Sequence, residues 1–358
     1  MNINPLSTAL LETLCNAHGV SGDEHEIREI LHHELQDHAD EITFDGLGSF
    51  IAKKGSKGPK VAIVAHMDEV GMMVKFISNE GYLYFDTIGS WWNQSMLNHR
   101  MQIRTRSGNK ILGIVGSIAP HALNEKQKQS PIELDDMFID VGASSAKAVE
   151  AMGIAVGDFI CPEPNYSLLG ANRVLAKALD NRAGCALAVE LFKQVSNPDI
   201  TLYSVATVQE EVGLRGAQAS AETIKPDIVI VIDTAVAGDI PGINTIKFPL
   251  RLDAGPAVML FDKRYFPHQK LTAEIKSCAV TAQQPLQVCT MKTGATDAGR
   301  YNVMGGGRPV VALCLPTRYL HANSSMISIQ DYRALSQILN EFLQNYNAAK
   351  HLELSRYL

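Results

Sequence analysis

Short segments of uninterrupted apolar residues are the strongest constraint on the fold of this 358-residue chain. Residues 60–65 read Lys-Val-Ala-Ile-Val-Ala, and residues 228–232 are five consecutive β-branched residues. Such runs are typical of central strands that are buried on both faces of a sheet. Helical patterns at 181–195, 216–223, 269–282 and 328–347 alternate with strand-like segments at 200–208, 285–291 and 309–314. The alternation predicts an α/β fold with a mostly parallel sheet covered by helices on both faces.

The first 162 residues divide into an α/β part and a β part. Two helical patterns, 5–17 and 23–38, precede a predicted hairpin at 41–53. Short alternating strands then follow at 71–78, 81–88, 100–106, 110–118, 137–141 and 158–161, with one helix at 144–152. This pattern predicts a small antiparallel barrel or sandwich. We therefore expect one α/β domain, formed by residues 1–69 and 163–358, that is interrupted by a β domain at 70–162.

Composition excludes several classes of protein. Charged residues make up 20% and hydrophobic residues 46% of the chain, which argues against a disordered protein. The net charge of −6 gives no support to binding of nucleic acid or of an anionic membrane. No secretory signal, membrane-spanning run or paired cysteine motif is evident, so we expect a cytoplasmic protein whose six cysteines are reduced core residues.

Metal-type side chains follow the predicted strands. The first segment is Val-Ala-His66-Met-Asp68, in which the strand runs into His66. Positions i and i+2 of an extended chain face the same way, so Asp68 can accept the second ring N–H of a metal-bound His66. The alternative is a core histidine beside a solvent-facing aspartate.

Three carboxylates stand at the starts and ends of other elements. Asp180 comes just before the helix at 181–195, where it could cap the helix or bridge two cations. Glu210 and Glu211 end a hydrophobic strand, where two like charges are costly unless a cation is bound. Because consecutive side chains diverge, we expect one of the two to be a ligand and the other a base. An exposed acidic loop is the alternative.

Two further residues complete the set. Asp233 directly follows the five β-branched residues, which favours a functional carboxylate at the sheet edge. His321 lies between the strand near 309–314 and the last helix, and by itself it could be an ordinary loop histidine. Together, two histidines, three ligand-type carboxylates and a spare glutamate suit two divalent cations that share one aspartate. Nitrogen and oxygen donors without thiolates indicate zinc, cobalt or manganese in a catalytic site.

In their order along the chain, these segments resemble the glutamyl aminopeptidase family of dinuclear metallopeptidases, which includes the tetrahedral, dodecameric aminopeptidases. Residues 242–251 (Gly-Ile-Asn-Thr-Ile-Lys-Phe-Pro-Leu-Arg) and 291–309 (from Met-Lys-Thr-Gly-Ala-Thr-Asp to Gly-Arg-Pro) are similar to the frv-operon protein subgroup of that family. The resemblance covers nearly the whole chain. Two local departures are Ala322, where relatives usually have serine, and Gly294-Ala295, where many have two glycines.

The resemblance implies a role for each site residue. It implies two divalent metal ions per subunit, zinc first and cobalt or manganese as alternatives. The implied ligands are His66 and Asp233 on one ion, Glu211 and His321 on the other, and Asp180 as the bridge. The implied catalytic residues are Glu210, the general base, and Asp68, the partner of His66.

The resemblance also implies the architecture. The catalytic domain is expected to be of the zinc-aminopeptidase α/β type, and the peptide bond after Asp180 to be cis. Residues 70–162 are expected to form an oligomerisation domain that pairs subunits, and the pairs to assemble into a dodecamer. Large apolar residues of this domain are predicted to lie exposed at an interface: Met72, Met73, Phe76, Tyr82, Tyr84, Trp91, Trp92 and Met96. The alternative is that they fill the seam with the catalytic domain.

Three functions are compatible with this sequence. The leading hypothesis is an aminopeptidase that hydrolyses N-terminal residues from short peptides by means of metal-activated water. The alternative is a glycoside hydrolase, because members of the family are sometimes labelled endoglucanases. That reaction needs two facing carboxyls about 5–9.5 Å apart and leaves both histidines without a role. A third possibility is an assembly protein without activity, against which the complete set of metal-type residues argues.

Overall fold

The computed structural model describes residues 8–358, so residues 5–7 of the first predicted helix lie outside the described residues. The helices are α1 (Thr8–Asn16), α2 (His25–Leu35), α3 (Glu125–Gln129), α4 (Ala146–Ala151), α5 (Leu179–Gln194), α6 (Arg215–Ile224), α7 (Gln269–Thr281), α8 (Ala298–Tyr301), α9 (Ile329–Asn345) and α10 (Ala348–Ser355). Within residues 8–358, no helix combines the length and the apolar character that crossing a bilayer requires.

The strands fall into three groups. The first part of the chain contains β1 (Glu41–Phe44), β2 (Phe50–Lys54) and β3 (Lys60–His66). The middle part contains β4 (Gly71–Ile77), β5 (Tyr82–Ile88), β6 (Arg100–Arg104), β7 (Lys110–Val115), β8 (Ile139–Asp140) and β9 (Phe159–Pro162). The last part contains β10 (Ser167–Leu169), β11 (Arg173–Ala176), β12 (Thr201–Thr207), β13 (Ile228–Val236), β14 (Ala257–Asp262), β15 (Gln287–Met291), β16 (Val310–Thr317) and β17 (Ser325–Ser328).

An eight-stranded sheet organises the α/β part, in the order β1-β2-β12-β3-β13-β16-β14-β15. Its centre is parallel, because β12, β3, β13 and β16 all run the same way, and antiparallel pairs occur towards the edges. Strand β3 shows why the continuous apolar runs predict this position. Val61 and Ile63 point into the core that contains α5, whereas Ala62 and Val64 point into the core on the opposite face. The predicted α/β class is therefore confirmed.

The predicted β strands of the middle segment form a closed barrel, in the order β4-β5-β8-β7-β6-β9. Alternation along β5 places Leu83 and Phe85 in the barrel core and turns Tyr82 and Tyr84 outward. The expectation that Met72 and Met96 lie exposed is wrong. Met72 is 1% and Met96 0% exposed, because the barrel core takes both side chains.

Several elements were not predicted from the sequence. A third sheet, β10-β11-β17, has strands of only three or four residues, too short to show a period. Strand β14, the short helix α8 and the C-terminal helix α10 were likewise missed. The cysteine prediction is in accord with the structure, since all six are free and buried.

Candidate active site

Four neighbouring parallel strands bring most of the predicted site residues to one edge of the sheet. Strand β3 ends at His66, and the turn after β12 carries Glu210 and Glu211. Asp233 lies inside β13, three residues before its end, and His321 follows β16. Since β12, β3, β13 and β16 are adjacent and parallel, their carboxyl ends meet at one place.

Asp180 lies between the two histidines. Its Oδ1 is 3.1 Å from Nε2 of His66, and its Oδ2 is 3.4 Å from Nε2 of His321. The side chain makes no capping hydrogen bond to α5, and Asp180 and Asn181 depart from helical geometry. Capping is therefore not the role of Asp180. The peptide bond between Asp180 and Asn181 is cis, as predicted.

The remaining carboxylates divide between the two sides of Asp180. Asp233 Oδ1 is 3.8 Å from Nε2 of His66, and Glu211 Oε1 is 3.4 Å from Nε2 of His321. His66, Asp180 and Asp233 each offer a donor atom within 4.8 Å of the others, and so do Asp180, Glu211 and His321. Glu210 is close to the same centre, because it forms a third such group with His66 and Glu211.

Asp68 makes contacts that the sequence did not predict. Nδ1 of His66 is 3.1 Å from the backbone oxygen of Asp68 and 3.6 Å from its carboxylate. The carboxylate instead accepts the backbone N–H groups of Glu210 and Glu211, at 3.0 and 3.1 Å, and the hydroxyl of Ser21 at 2.6 Å. Asp68 therefore links the segment that carries His66 to the segment that carries the two glutamates.

Burial and mutual repulsion dominate the electrostatics of the site. Burial, together with the nearby Glu211 and Asp233 carboxylates, holds the pKa of Glu210 well above its ordinary value. Burial likewise raises the pKa values of Glu211 and Asp233. Burial alone would lower the pKa of His321, but the carboxylates of Asp180 and Glu211 raise it to about 11. The site thus attracts positive charge strongly.

A metal pair fits this donor set. Among residues 8–358, no lysine or arginine pairs with the side chains of Asp180, Glu210, Glu211 or Asp233. A cluster of buried carboxylates without a lysine or arginine partner is costly, and a bound divalent cation offsets that cost. Imidazole nitrogens and carboxylate oxygens without thiolates are donors that suit zinc, cobalt or manganese.

The backbone around the site is strained at several non-glycine residues. Ala178, Gln209 and His321 have φ values of 55°, 55° and 54°, in the left-handed region. Each such residue costs about 1–2 kcal/mol. Ala178 lies two residues before Asp180, Gln209 directly precedes Glu210, and His321 is itself a site residue. The strained backbone therefore lies next to the side chains of the site.

Two buried acids near the site were missed by sequence analysis. Asp297 is 1% exposed, accepts the hydroxyl of Thr207 at 2.5 Å and has no partner for Oδ1 among the described residues. Burial raises the pKa of Asp297 to about 7. Glu24 accepts the backbone N–H groups of Gly22 and Gln209. Neither acid follows a buried strand, so strand-end patterning did not find it.

A buried ion cluster supports the loop after β3. Glu69 Oε1 is 2.7 Å from Nζ of Lys177 and 3.2 Å from a guanidinium nitrogen of Arg182. Arg182 also donates to the backbone oxygens of Met67, Leu14 and Gly19. All three charged side chains are nearly fully buried. The cluster joins the residues that follow His66 to those that flank Asp180.

A narrow cleft opens beside the candidate site. It is lined by residues of the α/β part and of the barrel segment: Glu69, Val70, Trp91, Pro162, Ala178, Asp180, Glu211, His321, Ala322 and Ser325. The entrance to the carboxylates therefore lies between the α/β part and the barrel segment.

The sequence and the fold are similar to those of known peptidases. Residues 48–338 match the family described as Peptidase_M42, M42 glutamyl aminopeptidase. The FrvX aminopeptidase of Escherichia coli (strain K12) is 63% identical over 352 residues, which cover 98% of this chain and 99% of that protein.

Solved structures agree with these matches. The TET aminopeptidase of the marine sediment archaeon Thaumarchaeota archaeon SCGC AB-539-E09 has a TM-score of 0.93 and 36% identity, covering 97% of this chain and 98% of that one. The Pyrococcus horikoshii TET1 peptidase, which can assemble into a tetrahedron or a large octahedral shell, has a TM-score of 0.86 and 26% identity over 94% of this chain and 99% of that one.

Proposed function

The chain belongs to the M42 glutamyl aminopeptidase family, and from that premise we propose that it is a dinuclear metal-dependent aminopeptidase that releases N-terminal residues from short peptides. The observation that carries the proposal is the position of Asp180. Its two carboxylate oxygens face two different histidines, at 3.1 and 3.4 Å. A carboxylate in this position suits a bridge between two cations.

The donor groups on either side of Asp180 are the proposed ligands. His66 and Asp233 would hold one cation, and Glu211 and His321 would hold the other. Zinc is the first candidate, with cobalt or manganese as alternatives. When bound, two divalent cations make water more acidic and polarise the carbonyl of the scissile bond.

Glu210 is the proposed general base. It is 9% exposed, lies beside His66 and Glu211, and makes no side-chain hydrogen bond within the described residues. Its carboxylate takes a proton from the attacking water as the new C–O bond forms. It then passes that proton to the departing amine as the C–N bond breaks, and returns to its ionised state. Asp68 positions Glu210 through the backbone hydrogen bond.

The barrel is the proposed oligomerisation domain, within a division of the chain into 1–69 plus 163–358 and 70–162. Its outer surface carries an apolar patch, which we define as Phe76, Tyr82, Leu112 and Ile114, with exposures of 57, 36, 44 and 41%. Tyr82 and Ile114 lie on either side of Asp140, with which both pair, and Phe76 pairs with Tyr84, two residues along β5 from Tyr82. Exposed apolar patches of this kind mark interfaces.

Assembly would also determine which substrates reach the site. The Pyrococcus horikoshii TET1 peptidase can assemble into a tetrahedron or a large octahedral shell, and we propose for this protein a dodecamer built from dimers. Enclosed active sites would admit short peptides and exclude folded proteins, which is compatible with a location in the cytoplasm.

An assay of two substrate classes tests the function. The protein is freed of metal with a chelator, reloaded with zinc, cobalt or manganese, and supplied with aminoacyl-p-nitroanilides or with carboxymethylcellulose. We expect metal-dependent release of nitroaniline and no cleavage of the polysaccharide. Cleavage of the polysaccharide would favour the glycoside hydrolase instead, and an inactive protein with both cations bound would favour the assembly protein.

A further inference from the structure

The loop that follows β5 brings the barrel into contact with the candidate active site. Gly89 of this loop has a φ of +78°, and a Cβ placed on it would be 3.4 Å from Cβ of Glu211 and 2.6 Å from Cγ1 of Val70. A side chain at this position would therefore press on the segment before β4 and approach a proposed metal ligand. The close approach explains why glycine stands at the start of the loop.

Trp91, two residues after Gly89, contacts the barrel core and also lines the cleft. Its ring packs against the hydrophobic core of the barrel. The same residue lines the cleft that contains Asp180, Glu211 and His321. The barrel thus holds a large aromatic side chain in a defined position at the entrance to the site.

The indole N–H of Trp91 has no hydrogen-bond acceptor among residues 8–358, although the nitrogen is buried. An indole nitrogen can only donate, and buried donors in proteins are nearly always paired. The acceptor for this N–H must therefore come from an ordered water, from a bound ligand or from a movement of the ring. A peptide offers carbonyl oxygens as acceptors at every residue.

We propose that Trp91 is a substrate-binding residue that the barrel contributes to the active site. The indole forms one wall of the cleft beside Asp180 and His321, and its N–H donates to a carbonyl oxygen of the bound peptide. This assignment rests on the proposed peptidase function. It gives the barrel a part in substrate binding in addition to its proposed part in assembly.

The neighbouring Trp92 offers a matched control. Trp92 is 69% exposed and is absent from the residues that line the cleft. The chain has only two tryptophans, so Trp92→Phe leaves Trp91 as the single tryptophan and Trp91→Phe leaves Trp92. Tryptophan fluorescence then reports the surroundings of each residue separately.

The first test is a binding titration that does not depend on turnover. Both single-tryptophan proteins are prepared in the Glu210→Gln background, loaded with zinc and titrated with tripeptides that have Glu, Lys or Leu before Gly-Gly. We expect a saturable change in the emission of Trp91 and none in that of Trp92. Calorimetry measures peptide binding independently. If the peptides bind but the emission of Trp91 does not change, or if that of Trp92 changes equally, the assignment is overturned.

The second test is kinetic and uses protein that retains the native Glu210. Loss of one neutral hydrogen bond is worth about 1 kcal/mol, so Trp91→Phe should raise KM about threefold to tenfold with little change in kcat or in metal content. Trp92→Phe should leave all three quantities unchanged. An unchanged KM in Trp91→Phe and Trp91→Ala would overturn the proposal. If the wild-type protein cleaves none of the peptides, the proposed function itself fails, whereas cleavage without any effect at Trp91 removes only this inference.

Discussion

The carboxylate of Asp68 holds the backbone of Glu210, with Oδ1 at 3.0 Å from the Glu210 nitrogen. The same carboxylate accepts the N–H of Glu211 at 3.1 Å and the hydroxyl of Ser21 at 2.6 Å. The proposed base and one proposed ligand are thus positioned by a residue two positions after His66. In the proposed mechanism, Asp68 acts on the glutamates as much as on the histidine.

Asp68→Asn should therefore impair both chemistry and metal binding. An amide replaces one acceptor oxygen with an NH₂ group, which then faces a backbone N–H or the Ser21 hydroxyl instead of accepting from it. We expect kcat and metal affinity each to fall about 10–100-fold. Ser21→Ala is the matched control, because it removes one donor and leaves both backbone contacts. Steady-state kinetics at saturating zinc, with metal titration, compare the two variants; equal, small effects would contradict the positioning role.

Asp180→Ala should release both cations, because Asp180 belongs to both donor groups. Asp233→Ala is the control, since Asp233 belongs only to the group that contains His66. Elemental analysis after gel filtration should find close to no metal in the first variant and about one ion per subunit in the second. Two ions retained by Asp180→Ala would rule out the bridge.

The apolar patch on the barrel should control assembly. The subunit has a mass of 39.0 kDa, and we expect light scattering to give a mass several times larger. Ile114→Asp places a charge within the patch and should reduce that mass to a dimer or monomer. Ile246, which is 92% exposed in the α/β part, provides the control variant Ile246→Asp. A wild-type protein that scatters as a monomer would contradict the proposed assembly.

Glu190, which lies outside the active site, should make the free energy of unfolding depend on pH. It lies on α5, where burial raises its pKa from 4.5 to about 7, although Tyr332 donates to it at 3.2 Å. Below pH 4.5 Glu190 is protonated in both the folded and the unfolded protein. As the pH rises from 4.5 to 7, the unfolded chain ionises first, so stability falls and the loss is complete above pH 7.

Glu190→Gln should remove this loss, since glutamine accepts the same hydrogen bond without ionising. A shift of this size corresponds to about 3 kcal/mol at most. Denaturant unfolding at pH 5 and pH 8 should therefore show that the variant gains stability over wild type only at pH 8. The exposed Glu353→Gln is the control. An equal gain at both pH values would show that the effect is not ionisation.

Sequence patterns predicted the parts of this fold that have one dominant cause. Strands β3 and β13 were predicted because burial on both faces requires apolar residues at every position. Barrel strands were predicted because turns such as Asn79-Glu80-Gly81 separate alternating segments. The three-residue strand β10 and the four-residue β17 were missed, because pairing with β11, and not local periodicity, makes them strands.

The site was predictable to the extent that it lies at strand ends. His66, Glu210 and Glu211 were found in this way, whereas Asp297 was not, because α8 brings it to Thr207 only in the folded chain. The position of Trp91 in the cleft likewise depends on its packing against the barrel core. Contacts between distant segments determine the positions of Asp297 and Trp91, and such contacts cannot be predicted from a local sequence pattern.

Replacement of the proposed base tests the account most directly. Glu210→Gln keeps the size of the side chain and leaves His66, Asp180, Glu211, Asp233 and His321 in place. We predict that the zinc-loaded variant binds two ions per subunit, as wild type does, and that its kcat on an aminoacyl-p-nitroanilide falls about 10²–10⁴-fold. Full metal content with activity near that of wild type would contradict the account.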